Sequence, residues 1–303
     1  MITMRPYHTE EDYRQMKNLI RENYRHTNEQ FYPTAMDLDY WRFIYDETPD
    51  GIQAAQLWQD ETGSVVGFVW MNEDATDLVC HVKYPDLLDE MLEWSENERV
   101  KVYAAGNDEP LYNCITLSDC DHHSEEIARN RGYHRTDDFS YYGKRSLADR
   151  VPDVCLPEGY TLRSVRSDHE IQQRAEMNAL AGNEITLQKY KTMMKVAPEY
   201  RRNLDLIALD PSGNVAGYCT VWYDDISHIG IFEPYAVHPD HLRKGLGRGL
   251  LFEGMKRLIV LGATAVYVSH GGLDSEETDP ALELNTAVGF QQTCRNYSWV
   301  KKL

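Results

Sequence analysis

The sequence predicts a mixed α/β protein built as two successive domains of related design. Its 303 residues are 42% hydrophobic and 26% charged, a globular balance in a chain long enough for about two domains. Apolar, β-branched runs alternate with amphipathic stretches of helical period from end to end. One order of elements (strand, two helices, hairpin, strand, helix, strand, helix, strand) is written twice, on either side of the proline-bearing stretch Ser146–Gly159. The expected domains are therefore 1–150 and 151–303, with Ser146–Gly159 as the linker.

In the first half, Ile2–Pro6 reads as a strand, with helices at Glu10–Tyr24 and Asp39–Asp46. Ala54–Gln59 and Ser64–Met71 flank Asp60-Glu61-Thr62-Gly63, which has hairpin turn chemistry. Asp77–Lys83 is a strand, Asp86–Trp94 a helix, Val100–Ala105 a strand, Ser124–Asn130 a helix and Phe139–Lys144 the closing strand. The second half repeats the order. Tyr160–Val165 opens it, with helices at Asp168–Leu180 and Leu187–Val196. The strands Leu204–Leu209 and Val215–Tyr223 join through Asp210-Pro211-Ser212-Gly213-Asn214. Strand Ile229–Val237, helix Leu246–Leu261, strand Ala265–Ser269, helix Ala281–Val288 and strand Tyr297–Lys301 complete it.

The net charge of −18 is unevenly spread: residues 1–150 carry 15 Lys and Arg against 30 Asp and Glu, residues 151–303 carry 16 against 19. Such a field repels nucleic acid, whose phosphates demand positive charge, and attracts cationic amines. Acidity that only keeps the protein soluble is the alternative. No apolar run reaches the ~20 residues of a membrane span, and Met1–Arg5 has no signal-peptide stretch. Cys80, Cys114, Cys120, Cys155, Cys219 and Cys294 form no C-x-x-C pair, which suits reduced thiols in a cytoplasm. Cys114 and Cys120 with His122 and His123 read as ordinary loop or helix-start residues, so no metal is expected. Trp41, Trp58, Trp70, Trp222 and Tyr223 read as core or interface aromatics.

The segment His238–Leu251 (HPDHLRKGLGRGLL) carries the chemistry. A strand ends at Val237, and glycines at 245, 247 and 249 open an apolar helix. Backbone amides there approach an anion closely, and the helix N-terminus adds about half a positive charge. Arg243, Lys244 and Arg248 supply more, so a diphosphate is the natural guest. A Walker loop needs Gly-Lys-Ser/Thr, which is absent, and the spacing G-x-G-x-G is not the dinucleotide fingerprint.

Strand, Val237–His241, basic glycine turn, apolar helix, strand and a short helix ending in Val288-Gly289-Phe290 together resemble the GNAT N-acetyltransferase superfamily over Glu158–Leu303. The resemblance implies two tandem GNAT-like domains, each a mostly antiparallel mixed sheet flanked by helices. It implies acetyl-CoA as acyl donor, its pyrophosphate held by amides of Arg243, Lys244, Gly245, Leu246, Gly247, Arg248 and Gly249. Strand Tyr235-Ala236-Val237 would pair with the pantetheine arm, at a splay from Ala265–Ser269. Glu233 corresponds to a strand glutamate that deprotonates the acceptor ammonium, which must lose a proton before it attacks a thioester. His238 reads as a polar turn residue. Two positions depart from the pattern. Leu242 stands where Arg or Gln is usual, and Asn285 stands where a tyrosine often protonates the departing thiolate. Asn285 can hydrogen-bond the cofactor but gives up no proton, so water, another tyrosine or the thiolate's own modest basicity must serve.

The matching segment of the first half, Cys80–Trp94, has no glycine and puts Asp86, Asp89 and Glu90 where the basic residues stood. Yet Arg131-Gly132-Tyr133 resembles the closing Gly-Phe. The first half is therefore expected to be a GNAT-like domain without the cofactor turn, shaping the acceptor cleft or supporting the second. The expected activity is acetyl transfer from acetyl-CoA to a primary amine of a small molecule or peptide, with a cationic acceptor. The alternatives are a non-catalytic acyl-CoA-binding or interaction protein, and transfer of a longer acyl group. Oligomeric state is unreadable.

Overall fold

The computed structural model describes residues 1–29, 33–42, 54–72, 74–103, 110–180, 185–271 and 279–303. Its first elements are β1 (Thr3–Pro6), α1 (Glu10–Thr27), α2 (Ala35–Tyr40), β2 (Ala54–Gln59), β3 (Val65–Met71), β4 (Thr76–Cys80), α3 (Leu87–Tyr103), β5 (Tyr112–Ser118), α4 (His122–Asn130) and β6 (His134–Ser146). Then follow β7 (Thr161–Ser164), α5 (Asp168–Leu180), α6 (Leu187–Val196), β8 (Asp205–Leu209), β9 (Val215–Asp224), β10 (Ile229–Val237), α7 (Leu246–Leu261), β11 (Ala265–Gly271), α8 (Pro280–Ala287) and β12 (Gln291–Lys302). Among the described residues no helix is long and apolar enough to cross a membrane.

Two compact units result, and they are not the linear halves. The first holds the described residues of Met1–Leu38, Thr48–Tyr141 and Cys294–Leu303; the second holds those of Asp39–Glu47 and Tyr142–Thr293. In the first unit, strands lie in the order β1-β2-β3-β4-β5-β12, with β12 antiparallel to β5 from Asn296↔Ser118 to Lys302↔Tyr112. In the second the order is β11-β10-β9-β8-β7. Each unit has one parallel pair, β4 with β5 and β10 with β11. The remaining pairs within these runs are antiparallel, which gives each unit a mixed sheet with helices packed on it.

Local chemistry sets the ends. Thr9 and Asp12 form a capping box at the start of α1, worth about 1 kcal/mol. Asp210 accepts from the amides of Ser212 and Asn214 and closes the β8–β9 hairpin at Gly213. In the second unit, α7 lies directly on β9 and β10. A Cβ at Gly254 would come within 2.6 Å of Phe232, and one at Gly230 within 2.5 Å of Leu258, so only glycine permits this approach. Leu250, Leu251, Met255 and Leu258 bury there against Leu206, Cys219, Val221, Phe232 and Val266. Val151, Val154 and Leu156 of the expected linker pack on the same core, so that stretch is part of the second unit.

Two expected elements are also corrected. Val100–Tyr103, expected as a strand, is the last turn of α3, while Ala104 and Ala105 lie outside the described residues. Val100 and Val102 alternate with polar neighbours, but both are exposed and nothing between Trp94 and Val100 stops a helix. The strand that follows α3 is β5, and Cys114, which the sequence suggests is a loop or helix-start residue, lies within it. Of the expected helix Asp39–Asp46, Asp39 and Tyr40 end α2, and 43–46 fall outside the described residues.

Candidate active site

The site begins at an irregularity in β10. Its pairing with β9 is regular to Phe232↔Val221, shifts register, and resumes at Tyr235↔Cys219. Glu233 and Pro234 occupy the bulge, where proline has no amide to offer a ladder. The Glu233 carbonyl accepts from Trp222 Nε1 at 2.6 Å, and Glu233 is half-buried. On its other edge β10 pairs with β11 only from Ile229↔Ala265 to Ile231↔Tyr267. Beyond Ile231 the described residues of the two strands form no further pair, although β10 runs to Val237 and β11 to Gly271. The strands splay. Since His238 N donates to Ala216 O on β9, the antiparallel alternation turns the amides of Tyr235 and Val237 toward the opening and that of Ala236 toward β9.

At the end of β10 a 3₁₀ turn (Pro239–His241) leads to Leu242, then Arg243 with φ of 61° and Gly245 with φ of 79°. Gly245 is the N-cap of α7 and has no side-chain cap. The first helical amide bond is Gly249 N to Gly245 O at 2.9 Å. The amides of Leu246, Gly247 and Arg248 therefore precede the ladder and have no acceptor among the described residues. The three glycines of this turn have different jobs. Gly245 holds a left-handed conformation. A Cβ on Gly247 would meet Leu284 at 3.0 Å, and one on Gly249 would meet Leu156 at 3.0 Å and Leu162 at 3.2 Å. These two bring α8, β7 and the 147–160 stretch against the helix, and Gly249's amide is already used.

The cations differ likewise. Lys244 Nζ is bonded to Tyr160 Oη (3.0 Å) and Asp240 O (3.1 Å). Arg243 is exposed, 3.8 Å from Glu283. Arg248 lines a cleft of about 340 Å³ at the helix start, walled by Pro152, Asp153, Val154, Cys155, Gly245, Gly249, Phe252 and Ala287. Asp153 in that wall is paired to Lys256 at 2.8 Å. A groove of about 370 Å³ between α5 and α6 is larger, but among the described residues its lining offers Glu176 as its one charge.

Asn285, on α8, is 2% exposed. Its Oδ1 accepts from Tyr235 Oη at 3.1 Å, while its Nδ2 is buried with no partner among the described residues. Leaving such a donor unpaired costs about 1–3 kcal/mol. Burial pushes the Tyr235 phenol well above its usual range, the Asn285 bond offsets part of this, and Glu233 adds to the rise. On the facing strand, His270 stands 3.7 Å from Asp279, the N-cap of α8. Burial lowers the His270 pKa, and Asp279 opposes the change. Sequence reading singled out neither the Tyr235–Asn285 contact nor the His270–Asp279 pair. Behind the opposite face of β9, the buried Arg174 meets Asp205 at 3.3 Å and Thr220 at 2.5 Å, and Tyr190 and Tyr200 also bond Asp205. Burial opposes the Arg174 charge, but Tyr190 and Asp205 outweigh it and hold its pKa above the usual range. This network fixes the strands from which Trp222 reaches Glu233.

In the first unit, Cys114 lies in β5, Cys120 is exposed, and His123 bonds Asp86 at 2.9 Å. Among the described residues no cluster of three or more metal-ligating side chains occurs.

Residues 181–289 match the model of the acetyltransferase (GNAT) family. No curated protein sequence matches the chain. Among solved structures, a GCN5-related N-acetyltransferase from Sphaerobacter thermophilus superposes with a TM-score of 0.70 at 16% identity, covering 99% of this chain and 95% of that one. A tandem GNAT protein from the clavulanic acid biosynthesis pathway gives 0.65 at 18% identity, covering 100% and 98%. A GNAT-family acetyltransferase from Colwellia psychrerythraea gives 0.61 at 9% identity, covering 99% and 100%.

Proposed function

We propose that this chain, which carries a GNAT-family acyltransferase domain in a tandem GNAT fold, moves an acetyl group from acetyl-CoA to a primary amine. The observation that carries this reading is the splay of β10 from β11, opening beside the uncapped amides of α7. These features fit the proposed donor. Bare amides at Leu246, Gly247 and Arg248 suit a diphosphate, strengthened by the helix dipole and by Arg243, Lys244 and Arg248 at the rim. The amides of Tyr235 and Val237 suit an extended amide-bearing arm, which would add to β10 as a short strand does. Gly245 lets the backbone approach, while Gly247 and Gly249 contribute through packing.

Bound acetyl-CoA supplies the activated acyl group. The chain's residues do the rest. Glu233, half-buried at the bulge, takes the proton of the acceptor ammonium, directly or through water, so that the nitrogen lone pair is free. Transfer is direct, with no acyl-enzyme. The acidic composition favours a cationic acceptor, a small molecule or peptide. Coenzyme A release, followed with polyamines, aminoglycosides, amino acids and peptides, tests the reading. Failure to bind acetyl-CoA overturns it.

Asn285 favours a second reading, a non-catalytic acyl-CoA-binding protein, because it cannot protonate a leaving thiolate. Coenzyme A binding without turnover of any amine, and no effect of Glu233→Gln, is the result expected of that protein.

A further inference from the structure

We propose that Asn285 Nδ2 is the hydrogen-bond donor to the sulfur that leaves during acyl transfer, and that Tyr235 is the residue that positions it. The inference rests on the acyl-CoA reading above and deepens it. A buried amide nitrogen without a partner is an unfavourable arrangement in a free protein and becomes favourable when a ligand atom meets it. Asn285 is such a group: 2% exposed, its Nδ2 unpartnered among the described residues, its Oδ1 bonded to Tyr235 Oη at 3.1 Å. That bond decides which way the amide faces. A phenol donates to the carbonyl oxygen, so the NH₂ end is turned away from Tyr235.

The position follows from the fold. Tyr235 stands on β10 past Ile231, the last residue paired with β11, and Asn285 stands on α8, next to Leu284, which packs at Gly247. The contact therefore lies along the open stretch of β10, between the bulge at Glu233 and the start of α7.

The chemistry closes without a proton donor. The acceptor nitrogen forms its bond to the acyl carbon, the carbon–sulfur bond breaks, and its electron pair leaves on sulfur. Two protons leave the nitrogen in all: Glu233 takes the first from the ammonium and passes it to water before attack, and the second, left on nitrogen when its bond to carbon forms, follows the same route. The sulfur departs as thiolate, an anion that a thiol with an ordinary pKa of about 8.5 tolerates near neutrality. Neighbouring groups make a donor necessary: Glu233 and Tyr235 on β10, Cys219 on β9, His270 on β11 and Asp279 at the head of α8 all lie around this stretch, and the two carboxylates act against a new negative charge. Tyr235 keeps its proton and spends its donor on Asn285.

The test needs coenzyme A alone and no acceptor. The ultraviolet absorbance of the thiolate, followed against pH with coenzyme A bound to the full chain, reports the pKa of the bound thiol. In the native protein that pKa is expected to lie about one unit, or tenfold in acidity, below its value in Asn285→Leu. Asn285→Asp, which keeps the shape but replaces the donor by an acceptor, is expected to raise it further. Tyr235→Phe, which leaves the amide in place but free to turn, is expected to shift it in the same direction by less. Identical thiol ionisation in the native protein, Asn285→Leu and Tyr235→Phe, with coenzyme A still bound, overturns the inference and leaves the acyl-CoA reading standing. If the native protein binds no coenzyme A, both fall.

Discussion

After β4 the chain reaches α3 in two tight steps, Tyr84 N to His81 O at 2.7 Å and Leu87 N to Tyr84 O at 3.0 Å, and the helix opens among Asp86, Asp89 and Glu90. After β10 it takes a 3₁₀ turn, then left-handed residues at Arg243 and Gly245, and α7 opens on bare amides. The scaffolding around the two joints is alike. Each helix lies on a strand glycine, Leu87 and Met91 against Gly67 and Leu250 against Gly217. Each closing helix is followed by a glycine of positive φ, Gly132 at 89° and Gly289 at 92°. Both helices have a dipole, so the dipole alone does not make an anion site. What differs is what stands in front of it. In the first unit Asp89 and Asp86 are engaged in surface pairs with Arg131 and His123. In the second, a left-handed glycine clears the approach.

The contrast can be broken at both joints. Glu233→Gln in the second unit is expected to lower kcat by about 10²–10⁴ while acetyl-CoA affinity, read by calorimetry, stays within twofold. An unchanged kcat would reduce the unit to a binder. Gly245→Val puts a β-branched side chain at φ of 79° and is expected to weaken acetyl-CoA binding about a hundredfold, whereas Asp86→Asn, which removes only a charge from the first unit's joint, should add no second equivalent of binding. A second equivalent would show that charge, not backbone, silenced the first joint.

The two units also part in acid. Burial raises Asp37 to about 6 and Asp77 to about 7, with the two carboxyls adding to each other at Asp77. Their folded values lie above the unfolded one, so the unfolded chain binds fewer protons between about pH 4 and 7 and this contribution weakens the first unit as pH rises through that window. In the second unit, the Arg163 bond outweighs burial and lowers Glu170 to about 2, so its contribution is present above about pH 4.5 and is lost as pH falls toward 2. Asp77→Asn should stabilise the first unit by about 1–2 kcal/mol at pH 8 and flatten its slope between pH 4 and 7 in denaturant titrations. An unchanged slope would show that Asp77 ionises without penalty. The smallest effect is expected at the rim: Arg243→Ala should cost only a few-fold in acetyl-CoA affinity, a loss that vanishes in high salt. Removing residues 1–150 is a poor substitute for these variants, because Asp39 and 142–146 belong to the second unit.

Much of the fold is legible in the sequence because its punctuation is strong. Ala54–Gln59, Asp168–Leu180, Leu187–Val196, Ile229–Val237 and Leu246–Leu261 have the bounds that their turn residues and periodicity predict. Thr186 caps α6, and Gly262 ends α7. Where punctuation is missing the reading fails. Nothing marks a stop between Trp94 and Val100, and two valines at period two imitate a strand on the exposed end of α3. The glycine turn was legible as a motif, but not the division of labour within it, which depends on Leu284 and Leu156 from elsewhere in the chain. Tyr235 and Asn285 are separated by 50 residues, and no local pattern joins them. Only packing does.

The placement of the final strand has a consequence for the order of synthesis. Cys294–Leu303 complete the sheet of the first unit, where Arg295 N bonds Asp119 across 176 residues of sequence. At ~5–20 residues per second, β5 therefore waits roughly 9–35 s on the ribosome with an open edge before its neighbour emerges. An unpaired edge is a template for wrong partners. Tyr112, Asn113, Thr116 and Ser118 give β5 a mixed, partly polar edge that suits such a wait. The first part of the chain to be made is thus among the last to be finished.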